Sequence, residues 1–214
     1  MARAETFFTE EEKSEISNAT RRAESETAGE IAVMVVDSSE RYRDAEIIGG
    51  IVFGSITAFA LAELFFGASL WFYIPLTALL FFPFMHLVRV VPLLKSVLLG
   101  NERKAVAVGR RAMVAFYEKG LYKTRDNTGV LFFLSLLERK VWILADRGIY
   151  AKIDQETLNR FASIVSRGIK EGRACDALCR AITETGEILA THFPVQHDDT
   201  NELSDEVMTE QDSR

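Results

Sequence analysis

The sequence predicts an α/β fold, a three-layer α/β/α sandwich with a two-helix transmembrane hairpin inserted into it. Three observations carry this. A 45-residue apolar block fills residues 47–91 of a 214-residue chain whose overall composition is unremarkable, with 26% charged residues. Two continuous apolar runs, at residues 30–37 and 129–137, read as strands buried on both faces. Helices with apolar residues at helical spacing surround them. The expected organisation is one discontinuous domain formed by residues 1–45 and 95–194, a membrane hairpin at 46–92, and a disordered acidic tail at 195–214.

Taken in order, the first eight residues are expected to be loose. Thr9-Glu10-Glu11-Glu12 is a capping box, with Thr9 as N-cap and Glu12 three residues on. A surface helix with a thin apolar face (Ile16, Ala19, Ala23) should follow and break at Thr27-Ala28-Gly29. The run EIAVMVVD then forms the first strand.

The apolar block divides at Gly67-Ala68-Ser69 into residues 47–66 and 70–91. A spanning helix needs about 20 mostly apolar residues, and each half supplies that length. The competing reading is a buried hairpin in a soluble core, which rarely needs two such runs back to back. Gly50 and Gly54 form a G-x-x-x-G pair that Ala58 extends; close helix approach there serves either the hairpin itself or a homodimer. Pro75 and Pro83 should kink the second span. Glu63 of the first span and His86 and Arg89 of the second are the ionisable members; Glu63 and Arg89 lie near span ends where they can reach headgroups, and the three serve either as anchors or as a polar site.

Orientation follows from positive charge near the span ends. The turn carries none, whereas the flanks carry Arg41, Arg43, Arg89, Lys95, Arg103, Lys104, Arg110 and Arg111. The turn is expected outside and both flanks, with both termini, in the cytoplasm; the bacterial inner membrane fits best. No apolar run lies near Met1, so insertion through the hairpin is expected without signal cleavage. Cys175 and Cys179, one helical turn apart, read as thiols of a reducing compartment that pack on a helix face.

Beyond the spans, residues 92–100 read as amphipathic and interfacial. Asn101 should cap a helix reaching about Lys119, stopped by Gly120. Arg103, Lys104, Arg110 and Arg111 on it either hold anionic headgroups at the membrane surface or form a solvated face. GVLFFLSLL is the second strand, Glu138-Arg139 a two-residue turn, and KVWILAD the third strand, antiparallel to the second. Asp154 caps the next helix, and a last helix runs over residues 173–192. Strand, helix, strand makes a βαβ unit, which predicts parallel pairing of the first two strands with a right-handed crossover.

Two segments resemble the TPM domain, named for thylakoid acid-phosphatase-like and related membrane proteins. AESETAGEIAVMVV (residues 23–36) is similar to its opening helix end and first strand. TRDNTGVLFFLSLLERKVWILADRGI (residues 124–149) is similar to its centre, a D-N-x-G-V-L strand, a charged turn and a strand closing on D-x-G-I. The helix after Asp154 and the EGRACDALCRAI helix match the remainder. The resemblance covers residues 7–37 and 101–193 and departs from the family where the hairpin interrupts it. It implies a Rossmann-like α/β/α domain, phosphatase activity in some members, and roles in assembly or upkeep of membrane complexes in others.

The residues themselves argue against several chemistries. There is no D-x-D nucleophile pair, Arg-His-Gly, Walker A loop or basic-aromatic surface for nucleic acid. Cys175 is followed at six residues by Ala181, where a tyrosine-phosphatase-like loop needs Arg, and His86, His192 and His197 are poorly placed as bases. One constellation remains. The expected strand pairing puts Glu30, Asp126, Asn127 and Asp146 at one edge of the sheet, where their oxygens could hold calcium or magnesium. The alternative is that these are turn and strand-end residues. The expected function is a membrane-tethered interaction or assembly module with a protein partner at the bilayer; the alternative is a metal-assisted phosphatase acting on phosphate esters.

Overall fold

The computed structural model describes residues 3–67, 69–195 and 201–210. Among these the protein is a mixed α/β structure, mostly helical, with a three-strand sheet and two apolar helices. The described residues form two compact units. One holds residues 40–104, the other residues 3–39 with 105–195 and 201–210.

The second unit is built on the sheet. β1 (Glu30–Val36) pairs in parallel with β2 (Gly129–Ser135), Glu30 opposite Gly129. β2 pairs antiparallel with β3 (Lys140–Ala145), giving the order β1-β2-β3. Every residue of β1 and β2 is buried, as their unbroken apolar runs require. Alternate side chains feed two cores. Ile31, Val33, Val35, Val130, Phe132 and Leu134 meet three helices: α2 (Glu10–Glu24), α8 (Gln155–Lys170) and α9 (Ala174–His192). Ala32, Met34, Val36, Leu131 and Phe133 meet Val108, Ala112, Ala115 and Phe116 of α6 (Asn101–Glu118).

Helix ends follow local chemistry. The capping box at α2 is present in both directions, Glu12 N–H to Thr9 Oγ1 at 3.2 Å and Thr9 N–H to Glu12 Oε2 at 2.8 Å. Asp154 Oδ1 accepts the Thr157 N–H at 2.7 Å at the start of α8. Gly120, at φ 77°, takes the left-handed position just beyond α6. Asn101 is the first residue of α6 rather than its cap.

Three local expectations are corrected, and one short helix is added. The first eight residues are not loose throughout, because α1 (Ala4–Phe7) forms a short helix and Ala4 and Phe8 are buried in the core. The turn between β2 and β3 has four residues, Leu136 to Arg139, instead of two. Leu136 and Leu137 stay bonded to β1, their N–H groups donating to Val36 and Asp37 carbonyls at 3.1 and 3.0 Å. Buried Glu138 accepts the Ser39 N–H at 3.0 Å and the Ser135 hydroxyl, which fastens the turn to the end of β1. A short helix, α7 (Arg147–Tyr150), follows β3 directly. Residues 201–210, expected to be disordered, lie along β1, while residues 196–200 and 211–214 of the same expectation fall outside the described residues.

The first unit is a helical hairpin. α3 (Arg43–Phe66) and α4 (Leu70–Val90) are each long and apolar enough to cross a membrane. α5 (Pro92–Leu98) follows in the same unit. Of the turn expected at Gly67–Ser69, Gly67 is left-handed and ends α3, and Ala68 lies outside the described residues. The G-x-x-x-G pair is used inside the hairpin. A Cβ on Gly50 would meet Met85 and the Phe81 ring at 3.0 Å, and one on Gly54 would meet the Phe81 backbone nitrogen at 3.3 Å. Ala58 and Ala62 of the same helix are buried. Apolar side chains elsewhere on the hairpin are exposed, among them Ile56, Phe59, Leu64, Trp71, Ile74 and Leu79. Trp71 is the extreme at 89%. Pro75 and Pro83 both lie within α4.

Candidate functional site

The sheet end expected to gather carboxylates does bring its backbone together. Gly129, at the start of β2, lies opposite Glu30 and accepts the Asp146 N–H at 2.9 Å. The side chains diverge in role. Asp146 caps α7, its Oδ1 accepting the Arg147 N–H at 2.7 Å, while its Oδ2 is buried without a hydrogen-bond partner. Asp126 is exposed and lies 3.7 Å from the Arg125 guanidinium. Asn127, left-handed at φ 56°, accepts from Arg147 Nε at 3.1 Å. Buried Glu30 accepts the Glu202 N–H at 3.2 Å. Among the described residues no three His, Cys, Asp or Glu side chains are grouped to hold a metal ion.

Glu30 instead has different carboxylate neighbours. Glu24 ends α2, and its Oε1 accepts the Ile31 N–H at 2.8 Å, on the outer edge of β1. Burial pushes the Glu24 carboxyl up to about 9; the Ile31 N–H opposes this, and the charges of Glu30 and Asp205 add to it. Glu24 therefore keeps its proton at neutral pH. Asp205 is held below the usual range. Burial works against this, and hydrogen bonds from Arg21 and Asn201 outweigh it. Its Oδ2 lies 2.7 Å from Arg21 Nε. Arg21, Glu24, Thr27, Glu30, Val195 and Asn201 line a cavity of about 270 Å³ here.

Sequence reasoning missed Glu24 and Asp205. Glu24 looked like one more surface charge at a helix end, and Asp205 sits in a segment with the composition of a solvated tail. The available signal was the strand itself: an apolar β1 at a sheet edge needs partners for its outward N–H and C=O groups.

The remaining outer edge of β1 is met by that segment. Met208 N–H donates to the Val33 carbonyl and Met208 C=O accepts the Val35 N–H, both at 2.9 Å, in parallel sense. Beside it runs a groove of about 870 Å³ between α2 and residues 204–209, with Lys13, Ser17, Arg21 and Lys119 on its wall.

The four basic residues expected at a membrane surface have these partners. Arg103 pairs with Asp44 and lies 5.6 Å from the Tyr42 ring centroid. Lys104 donates to Ser96 Oγ at 2.9 Å. Arg111 pairs with Glu118 at 2.9 Å, and Arg110 is exposed. Lys95 and Glu46 form a further pair at 2.6 Å. Within the spans Glu63, His86 and Arg89 are exposed. Cys175 is buried, and burial raises its thiol far above the range of a reactive thiolate.

These features define a mixed α/β protein with a small sheet and two apolar helices. No protein-family model matches the chain, and no curated protein matches it by sequence. It is similar in structure to the BA42 protein from the psychrophilic bacterium Bizionia argentinensis, solved by NMR, with a TM-score of 0.61 over 98% of this chain and 99% of that one. At 21% identity that likeness speaks to the fold alone.

Proposed function

We propose that this chain is a membrane-tethered interaction module, a TPM-like three-layer α/β/α domain held at the bilayer by α3 and α4 and docking a protein partner there. The observation that carries it is the exposed apolar surface of the hairpin. Side chains such as Ile56, Phe59, Leu64 and Trp71 are 61–89% exposed on helices long enough to span. A contiguous apolar surface of that kind suits lipid rather than water. The two-sided core around the sheet supports the three-layer reading, and the TPM resemblance of residues 23–36 and 124–149 supports the family. The uncharged turn and the basic flanks support a cytoplasmic domain with the turn outside.

A second reading, metal-assisted hydrolysis of a phosphate ester, has one observation in its favour: Asp146 Oδ2 is buried and unpartnered, which suits a cation. One experiment separates the two. Detergent-purified full-length protein is assayed on a generic phosphate ester with calcium or magnesium, beside cross-linking and recovery from native membranes. Specific membrane cross-links without turnover support the module. Turnover that is lost in Asp146→Asn supports the hydrolase.

A further inference from the structure

We propose that the outer edge of β1 is a strand-addition site for an extended acidic peptide of a partner protein, and that residues 201–210 occupy it in cis until that peptide displaces them. This rests on the interaction-module reading and names the site and the kind of partner. The edge of a sheet is a template for an added strand, with backbone bonds giving affinity and alternate side chains giving selectivity. The chain's own segment shows what the edge accepts.

Three kinds of contact hold it. Met208 shares both backbone bonds with Val33 and Val35. Leu203 and Met208 pack on the core that holds Ala32 and Met34, while Val207 packs on the opposite core. Adjacent side chains going to opposite faces is the habit of a strand. Acidic groups meet donors along the way: Asp205 with Arg21 at 2.7 Å, Glu202 with the Arg125 N–H at 3.1 Å, and Glu210 with Arg111 at 3.8 Å. The matching partner segment is apolar, then acidic, then apolar, in the spacing of Leu203, Asp205 and Met208.

The occupant is also a partial one. β1 has seven residues, yet its bridge to the segment is formed at Met34 and Met208. The groove of about 870 Å³ runs alongside, its wall mixed in charge, with Lys13 paired to Glu10 at 2.7 Å and Glu5 and Glu206 beside them. A peptide that pairs along more of β1 and fills this groove makes contacts the cis segment does not. It must compete with a tethered segment whose effective concentration is on the order of millimolar.

The test uses the full-length protein in detergent and a fluorescent peptide, Asn-Glu-Leu-Ser-Asp-Glu-Val-Met-Thr-Glu, read by anisotropy. Met208→Pro removes the N–H that bonds Val33 and frees the edge. Peptide affinity should rise about tenfold or more over wild type as the tethered competitor is lost. Arg21→Glu added to that variant should return it to the wild-type level or below. Should Met208→Pro melt at the working temperature, Asp205→Lys breaks the same segment's hold at Arg21 and gives the same readout. Equal affinity in wild type and the freed variant, or indifference to Arg21→Glu, overturns the site. A wild-type dimer that Met208→Pro turns into monomer makes the occupant a second copy and overturns the partner assignment. Membrane cross-links identical in wild type and Arg21→Glu leave the module standing and overturn the edge site. Peptide binding as expected without any membrane partner does the reverse.

Discussion

Glu24 Oε1 accepts the backbone N–H of Ile31 at 2.8 Å, so the last side chain of α2 closes part of the open edge of β1. That contact is made by a buried carboxyl whose pKa is raised to about 9, from 4.5, mainly by burial. The sign of its effect on stability follows. Between 4.5 and 9 the unfolded chain releases the Glu24 proton and the folded chain keeps it, so this group lowers stability as pH rises through that window. Glu24→Gln keeps the acceptor for Ile31 and carries no charge. It should be near neutral at pH 4 and stabilise by on the order of 1–3 kcal/mol at pH 8, with a flatter pH profile. Thermal melts of both proteins across this range check it; parallel profiles contradict it.

Asp146 distinguishes a helix cap from a metal ligand. As the cap of α7, it should tolerate Asn and lose about 1 kcal/mol on change to Ala. Millimolar calcium or magnesium should leave all three melting curves in the same order and spacing. A wild-type melting temperature that rises with either ion, and no longer does so in Asp146→Asn or Asp126→Asn, is the signature of a bound cation.

Gly50 sits where α3 and α4 approach closely, and Gly50→Leu would drive its side chain into Met85 and Phe81. Overpacking of this kind costs about 1–3 kcal/mol. The expected outcome is a lower yield of a Cys-pair cross-link between α3 and α4 in membranes, with the oligomeric state unchanged. Loss of a dimer with the α3–α4 cross-link intact would assign the glycines to a contact between copies.

Much of this was legible because burial leaves a simple pattern. The unbroken runs of residues 30–37 and 129–137 announce strands with helices on both faces, and the strands they form, Glu30–Val36 and Gly129–Ser135, are buried at every position. Thr9 with Glu12, and Asp154, announce helix starts because orphan N–H groups need acceptors. What was not legible depends on contacts between distant residues. Nothing local in Glu138 says that it will bind Ser39 and hold a four-residue turn in place. Nothing in an acidic stretch says that Asp205 will meet Arg21, 184 positions earlier, across the edge of a sheet. Four polar residues at one sheet end were placed correctly by topology, yet topology does not say which of them will be taken up by a cap, a turn or a neighbouring N–H.

If residues 40–104 form a unit of their own, the remainder should fold without the hairpin. Replacing residues 44–94 by a short flexible linker should give a protein that is soluble and melts in one cooperative step. Aggregation of that protein, while the full chain is stable in detergent, contradicts the separation.

The most direct measurement of the central claim is site-specific labelling in intact bacterial cells, in a background with Cys175 and Cys179 replaced. Ala68→Cys should react with a membrane-impermeant maleimide added outside. Ser204→Cys should react only after permeabilisation. That pair of results is what a bilayer-spanning hairpin with a cytoplasmic domain requires. Protection of position 68 until the cells are opened, with position 204 labelled from outside or with both positions behaving alike, contradicts it.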